Sequence, residues 1–396
     1  MARVHRKIVF SFTEQPIPLA AFSLLPAQTL QEAVLATART IDPCGTFRLG
    51  NEGGDITLGI GPRAEPGLNW YLGAEQAIGY LQPEPAMLDT TAEASLRGAG
   101  VAACLGAAAA FKLELNVPVA PRALSTWNYL EDDAADPGPQ HLQRLDVGRV
   151  LLVGAGAVAS ALVYWLRSWG VEGEWVVIDN DTIKLHNTNR GMLFLPEHAA
   201  WPAGPKMTKV SLLTSLLPRA QPVKEWYHKA QAIWDQPFDV VLELANDYGV
   251  REAIAHRNAT VLLHATTGQN WLSQLHRHVA GRDDCIACRL GEVKEPAFEA
   301  CSTVTVKTSS EERMDAALPF LSAAAGLMLA TLLQRLQAGV LVESTANNWR
   351  WDFLSEQRMV APPGRSKCHV RCSSWYSPEA RKKVNQGARW AHLDAS

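Results

Sequence analysis

The sequence predicts an α/β protein: a Rossmann-like domain with a mainly parallel sheet, preceded by a smaller α+β region. Three observations carry this. Short apolar runs alternate with helix-period segments from about residue 145 onward. The first run ends in a glycine-rich turn, Gly154-Ala155-Gly156, which opens a helix. The second run ends in an acid, Asp179. Strand, glycine turn, helix, strand and acid, in that order, begin a parallel sheet with crossover helices.

Each element follows from local patterning. Arg149 to Val153 is a short apolar run and suits a buried strand. Ala157 to Trp169 carries apolar residues at helical spacing and stops at Gly170. Glu174 to Ile178 is the second strand. Phe238 to Leu244 and Thr260 to His264 read as further buried strands, with a helix over Val250 to Arg257 between them. Asn270 to Val279 reads as a strand whose alternating His276 and His278 are expected on a solvated face. An Ala-rich helix is expected over Ala316 to Leu336.

The acidic, Pro/Gly-rich run from Glu131 to Pro139 suits a linker. The expected organisation is an N-terminal domain over 1–125, a linker over 126–144 and the Rossmann-like domain over 145–396. The N-terminal domain contains no phosphate loop. Its small-residue helix, Gly98 to Lys112, fits either a small α+β domain or a degenerate, inactive half of the second domain. Asn69-Trp70-Tyr71-Leu72 fits either a partner contact or core.

Composition narrows the class. With 37 basic and 40 acidic residues the formal charge is -3, so nothing argues for nucleic-acid binding through a basic face. The apolar run Ile8 to Phe12 is too short for a signal peptide, and Gly98 to Phe111 too short for a membrane span. A cytoplasmic protein with no membrane partner is expected. Seven cysteines then suggest metal or catalysis before a disulfide framework. Cys44 and Cys104 read as packing residues.

The run Gly154-Ala155-Gly156-Ala157-Val158-Ala159 lets the backbone approach a phosphate lying on the amides of a helix N-terminus. Asp179, 23 residues after Gly156, is placed to bind ribose hydroxyls. This much says nucleotide, and ATP and NAD fit equally. Beyond the acid come Asp181-Thr182-Ile183-Lys184-Leu185-His186-Asn187-Thr188-Asn189-Arg190 and then Gly204-Pro205-Lys206. A dehydrogenase has no need of Asn, Arg and Lys there, whereas a departing pyrophosphate needs cations.

This ordered set resembles the ThiF/MoeB and ubiquitin-activating superfamily of adenylating enzymes. The resemblance implies ATP and Mg²⁺ as cofactors, with Gly154, Gly156, Asp179 and Asp181 at the nucleotide. It places Asn187, Arg190 and Lys206 on the triphosphate. Gly191 stands where the family commonly has Gln. Relatives follow the next strand with Asp then Asn and hold Mg²⁺ on the Asp. Here the order is Asn246-Asp247, so Asp247 is expected to take the magnesium through a shifted loop, beside Asn246. If Asp247 points away, a pseudoenzyme results.

Cys285-Ile286-Ala287-Cys288 matches the family CxxC, and Cys368-His369-Val370-Arg371-Cys372 stands where a second is expected. The resemblance implies a structural Zn²⁺ on Cys285, Cys288, Cys368 and Cys372, with unligated thiols as the alternative. Cys301 lies where ubiquitin-activating enzymes place the thiol that takes the activated carboxylate, or is a buried small hydrophobe. An N-terminal domain plus this cysteine looks most like the activating enzymes of bacterial ubiquitin-like conjugation operons, including antiphage ones. That implies a ubiquitin-like protein and a conjugating-type enzyme as partners, and a homodimer. The alternatives are a sulfur-carrier adenylyltransferase and a non-catalytic nucleotide-binding scaffold.

Overall fold

The computed structural model describes residues 7–12, 27, 29–61, 64, 67–85, 95–234, 236–255, 257, 259–268, 270–279, 282–290, 305–307, 313–315, 318–340, 346–355, 358–359, 382 and 386–390. At the N-terminus, β1 (Lys7–Phe10) pairs in parallel with β2 (Thr46–Leu49) across α1 (Leu30–Ile41). Thr29 and Glu32 start α1 with a reciprocal capping box. A second sheet follows in simple order from β3 (Leu58–Ile60), β4 (Trp70–Glu75), β5 (Ile78–Gln82) and, after α2 (Leu96–Glu114), β6 (Arg122–Ser125). Small residues bring α2 down on this sheet: a Cβ on Gly79 would sit 2.4 Å from the Ala102 nitrogen. The region is a small α+β unit with no glycine-rich strand–helix turn among its described residues. Tyr71 and Leu72 are core residues.

The main sheet has seven strands. They are β7 (Leu145–Val153), β8 (Val171–Ile178), β9 (Ala220–Val223), β10 (Val240–Glu243), β11 (Val261–Gly268), β12 (Leu272–Val279) and β15 (Asn348–Asp352), in the order β15-β12-β11-β10-β7-β8-β9. From β9 to β11 all neighbours are parallel, and β12 and β15 close the far edge antiparallel. Chain order reverses between β7 and β10, which opens a crevice beyond their carboxyl ends. Between these strands run α3 (Ala157–Trp169), α4 (Lys209–Leu216), the short α5 (Gln231–Trp234) and α6 (Tyr248–Ala255). Further on lie α7 (Ile286–Leu290), the two-stranded ribbon β13 (Thr305–Lys307) and β14 (Arg313–Asp315), and α8 (Pro319–Gln337).

Both sheet faces are covered. Val150 and Leu152 of β7 face the cluster that holds α3 and α8, and Leu151 and Val153 face the one that holds α6. A Cβ on Gly326 of α8 would lie 2.6 Å from the Leu162 nitrogen, so that glycine lets α8 touch α3. Helices α2 and α8 are long and apolar enough to cross a membrane by composition, but most of each is buried against the rest of the fold. Leu105 of α2 and Met328 of α8 belong to one core cluster.

Three expectations need correction. The 126–144 segment is packed rather than a free linker. Trp127 and Tyr129 are buried, the Tyr129 hydroxyl donates to the Met328 carbonyl, and Glu131 forms a buried pair with Arg122 at 2.6 Å. His276 and His278 do not lie on a solvated face: each is 2% exposed. The β12 face that carries them is roofed by the segment leading into α7, so alternation along the strand marks two buried faces. Cys44 is exposed, whereas Cys104 is buried and its thiol is pushed up to about 12 by that burial.

Candidate functional site

The crevice is built around the turn between β7 and α3. Gly154 has φ of +91°, and a Cβ there would lie 2.6 Å from the Ala245 nitrogen. Both facts demand glycine. Gly156 caps α3 without any side-chain hydrogen bond, and a Cβ on it would meet nothing within 4 Å. The first-turn amides of a 13-residue helix thus lack a protein cap beside open space, which is where an anion binds.

Asp179, at the end of β8, accepts from the Ala155 amide through Oδ2 and from the Asp181 amide through Oδ1, both at 2.7 Å. Its carboxylate is therefore fixed beside the turn, and each oxygen keeps a lone pair for a ribose hydroxyl. Asp181 is committed elsewhere: its Oδ2 lies 2.6 Å from the ammonium of Lys209 at the start of α4. Lys209 was not among the residues expected from sequence. The Lys206–Thr208 segment runs beside Asp181–Ile183, with the Ile183 amide donating to the Met207 carbonyl. Lys206 is thereby brought near the acids, exposed and without an ion pair to any described residue.

Asn187 is buried, and its Oδ1 accepts from the Lys184 amide. It closes the short turn that Arg190 ends, so its amide nitrogen is what remains for a ligand. Arg190 is half-buried and makes no ion pair with a described residue. At Gly191, a Cβ would lie 2.1 Å from the ring of the buried Phe194, which explains glycine in place of the family's Gln.

The loop after β10 lies against the glycine turn through Ala245. Asp247 Oδ1 accepts from the Val250 amide and caps α6, while its other oxygen bonds no described residue. Asn246 Oδ1 accepts from Arg251. Asp247 thus offers one oxygen to a cation, whereas the Asn246 carbonyl is already occupied.

Beneath this loop is a polar cluster that sequence reading missed. Glu243, the last residue of β10, is completely buried, with Oε2 2.5 Å from Nδ1 of His264 on β11. Across the register from His264, His276 donates through Nε2 to Asp284 at 3.2 Å. Arg289 and Asn347 also donate to that carboxylate. Burial pushes the Asp284 carboxyl up, but these partners outweigh it and hold it at about 2. Burial also lowers His276 and His278, against the opposing pull of Asp284. A signal was present: Glu243 interrupts the apolar run Val240-Val241-Leu242, and a charge in a strand covered on both faces must be paired.

Cys285 is buried and Cys288 half-buried, while Cys301, Cys368 and Cys372 lie outside the described residues. Among the described residues no group of three or more His, Cys, Asp or Glu converges as a metal site, so zinc has no support there.

The profile of the ThiF family matches residues 131–373. No curated protein is detectably similar in sequence. Among solved structures, E. coli MccB with AMPCPP and selenomethionine MccA is 17% identical, with a TM-score of 0.40. That likeness spans 58% of this chain and 66% of the other, just under two thirds of its length. E. coli MccB with a succinimide is 13% identical, with a TM-score of 0.41, over 77% of this chain and 97% of the other. Selenomethionine PaaA is 14% identical, with a TM-score of 0.35, over 49% and 56%. These likenesses are distant, and family membership rests on the profile.

Proposed function

Because this chain belongs to the ThiF family, we propose that it is an ATP-dependent adenylating enzyme acting on the C-terminal carboxylate of a ubiquitin-like protein. The observation that carries the proposal is the uncapped N-terminus of α3 over open space at Gly156, with the fixed Asp179 carboxylate beside it. Helix amides take phosphate, the carboxylate takes ribose, and Arg190 and Lys206 supply charge at the far end.

In the reaction, a carboxylate oxygen of the substrate bonds to the α-phosphorus as the bond to the β-phosphate breaks. Pyrophosphate leaves and an acyl-adenylate remains. Arg190 and Lys206 neutralise the charge that grows on the leaving group, where such donors are most effective. Magnesium, when bound, adds positive charge at the phosphates and would be held by the open oxygen of Asp247. In a second step the Cys301 thiolate attacks the acyl carbon, a thioester forms and AMP departs. A conjugating-type enzyme would then accept the acyl group. A homodimer, a cytoplasmic location and a zinc on Cys285, Cys288, Cys368 and Cys372 belong to the same proposal.

One observation favours a second reading. Asp247 caps α6 and Asn246 holds Arg251, as expected of a scaffold that binds nucleotide without turning it over. ATP–pyrophosphate exchange with candidate ubiquitin-like proteins separates the two. Exchange that depends on an intact C-terminal glycine is expected, and nucleotide binding without exchange would overturn the enzyme reading. For the second step, Cys301→Ala should still exchange pyrophosphate but form no thiol-sensitive band on a non-reducing gel. A band that persists would move the thioester to another cysteine.

A further inference from the structure

The loop 244–247 is held from below by Glu243 and Arg251. Glu243 Oε1 accepts from the Ala245 amide at 3.0 Å, and the Arg251 guanidinium donates to the Ala245 carbonyl at 3.1 Å. Both backbone polar groups of Ala245 are therefore taken, and this residue is the one pressed against Gly154. Asn246 and Asp247 follow directly.

Glu243 is itself held. His264 Nδ1 lies 2.8 Å from the Glu243 carbonyl and 2.5 Å from its Oε2. Both neighbours are acceptors, so Nδ1 must carry the proton. His264 Nε2 is then left buried with no hydrogen-bond partner among the described residues. Glu243 and His264 are 0% and 3% exposed, and they sit directly opposite in the parallel register of β10 and β11. A carboxylate at the centre of a sheet is costly, and an apolar side chain of similar volume is often no worse for stability. A role for this pair in stability alone therefore leaves its geometry unexplained. One Glu243 oxygen holds a loop amide, and the other lies between the His264 imidazole at 2.5 Å and the Arg251 guanidinium at 3.9 Å without a hydrogen bond to a described residue.

We propose that Glu243 and His264 are positioning residues for the nucleotide site, a buried carboxylate–imidazole pair that fixes loop 244–247 so that Asp247 presents its open oxygen to the magnesium on the phosphates. This rests on the nucleotide-binding reading above. The side chain of His264 orients Glu243, Glu243 holds the Ala245 amide, and the Ala245 backbone sets the path to Asp247. The pair touches neither nucleotide nor metal. Its effect therefore falls on the coupling between magnesium and nucleotide, and much less on nucleotide binding alone.

The test is calorimetric binding of the non-hydrolysable analogue AMPCPP to the full chain, with saturating Mg²⁺ and with EDTA. In the unmutated protein Mg²⁺ should tighten binding. Glu243→Gln and His264→Leu should lose about tenfold of that tightening, the low end of what loss of an outer-shell partner costs a metal site. Their affinity in EDTA should change little. His264→Asn keeps an N–H donor near the Nδ1 position and should retain most of the coupling. Unchanged coupling in Glu243→Gln and His264→Leu would overturn the proposal. So would a loss in His264→Asn as large as in His264→Leu, because that would make the effect one of packing. Should His264→Leu fail to fold, Glu243→Gln decides alone. Failure of the unmutated protein to bind AMPCPP in either condition would instead sink the nucleotide reading.

Discussion

The two halves of the main sheet treat polar residues in opposite ways. Around the ends of β7 and β8, Asp179 and Arg190 are half-buried, and Asp181 and Lys206 exposed, all on loops that border open space. Across β10, β11 and β12, Glu243, His264, His276, His278 and Asp284 are all at most 3% exposed and face one another. The first set is arranged for something that arrives from outside. The second set is turned inward on itself, and its members act through the backbone they hold. Substitutions in the first half should therefore remove activity and spare the fold, and those around Asp284, away from the Glu243–His264 pair that holds loop 244–247, should do the reverse.

The largest expected effect tests the first half. Arg190→Ala should lower pyrophosphate exchange about 100-fold or more, as removal of a donor to developing charge does. Its unfolding midpoint should stay near that of the parent, because the Arg190 side chain has no described partner and its amide bond to the Asn187 carbonyl is kept. Exchange near the parent rate would remove Arg190 from the triphosphate. A collapse in stability would show that this half also serves the fold.

Asp284→Ala tests the second half. It strands His276, Arg289 and Asn347 around a vanished carboxylate, and breaking such a buried pair costs about 3 kcal/mol. Exchange per folded molecule should survive. The deficit should also depend on pH in a fixed direction. The folded carboxyl is held at about 2, below its unfolded value of about 3.9. Its contribution is therefore full above the unfolded value and is lost as pH falls through about 2. Urea unfolding at neutral pH and near pH 3 should show the gap between parent and variant narrowing in acid. A gap that widens would mean the carboxylate is not the stabilising species.

What sequence could disclose follows the same division. α3 is found at Ala157–Trp169 as expected, because Gly156 and Gly170 punctuate it at both ends. β7 begins at Leu145, earlier than expected, because the strand continues through an irregularity at Gly148 that an apolar run does not reveal. The Gly154 turn and Asp179 were legible because the groups that build them are local. Glu243 and His264 belong to strands correctly expected as buried, yet their pairing is a matter of register between segments far apart in sequence. His276 and His278 were misread because strict alternation is the mark of a half-exposed strand, and here the second face is covered. The packed character of 126–144 was equally hidden: its Pro, Gly and Asp content describes turns, while Trp127, Tyr129 and Glu131 find partners on distant elements.

The smallest expected effect falls on Asp181, the member of the first half that behaves like the second. Its carboxylate is 52% exposed and pairs at 2.6 Å with Lys209, whose side chain is 11% exposed. A half-exposed pair of this kind contributes about 0.2–1 kcal/mol. Asp181→Asn keeps the Lys209 amide bond to the Asp181 carbonyl and the Asp181 amide bond to the Asp179 carboxylate. If Asp181 serves only to seat the start of α4, stability should fall by no more than about 1 kcal/mol, and KM for ATP should rise by less than about fivefold, the equivalent of that energy. Turnover should be unchanged. A fall in exchange as deep as that of Arg190→Ala would instead make Asp181 a ligand of nucleotide or magnesium. The Lys209 pair would then be what holds that carboxylate until the ligand arrives. Lys209→Met checks the seating role, since it frees Asp181 without removing its charge: it should reproduce the modest loss of stability of Asp181→Asn and leave turnover unchanged, and a loss well above about 1 kcal/mol would show that Lys209 does more than pair with Asp181.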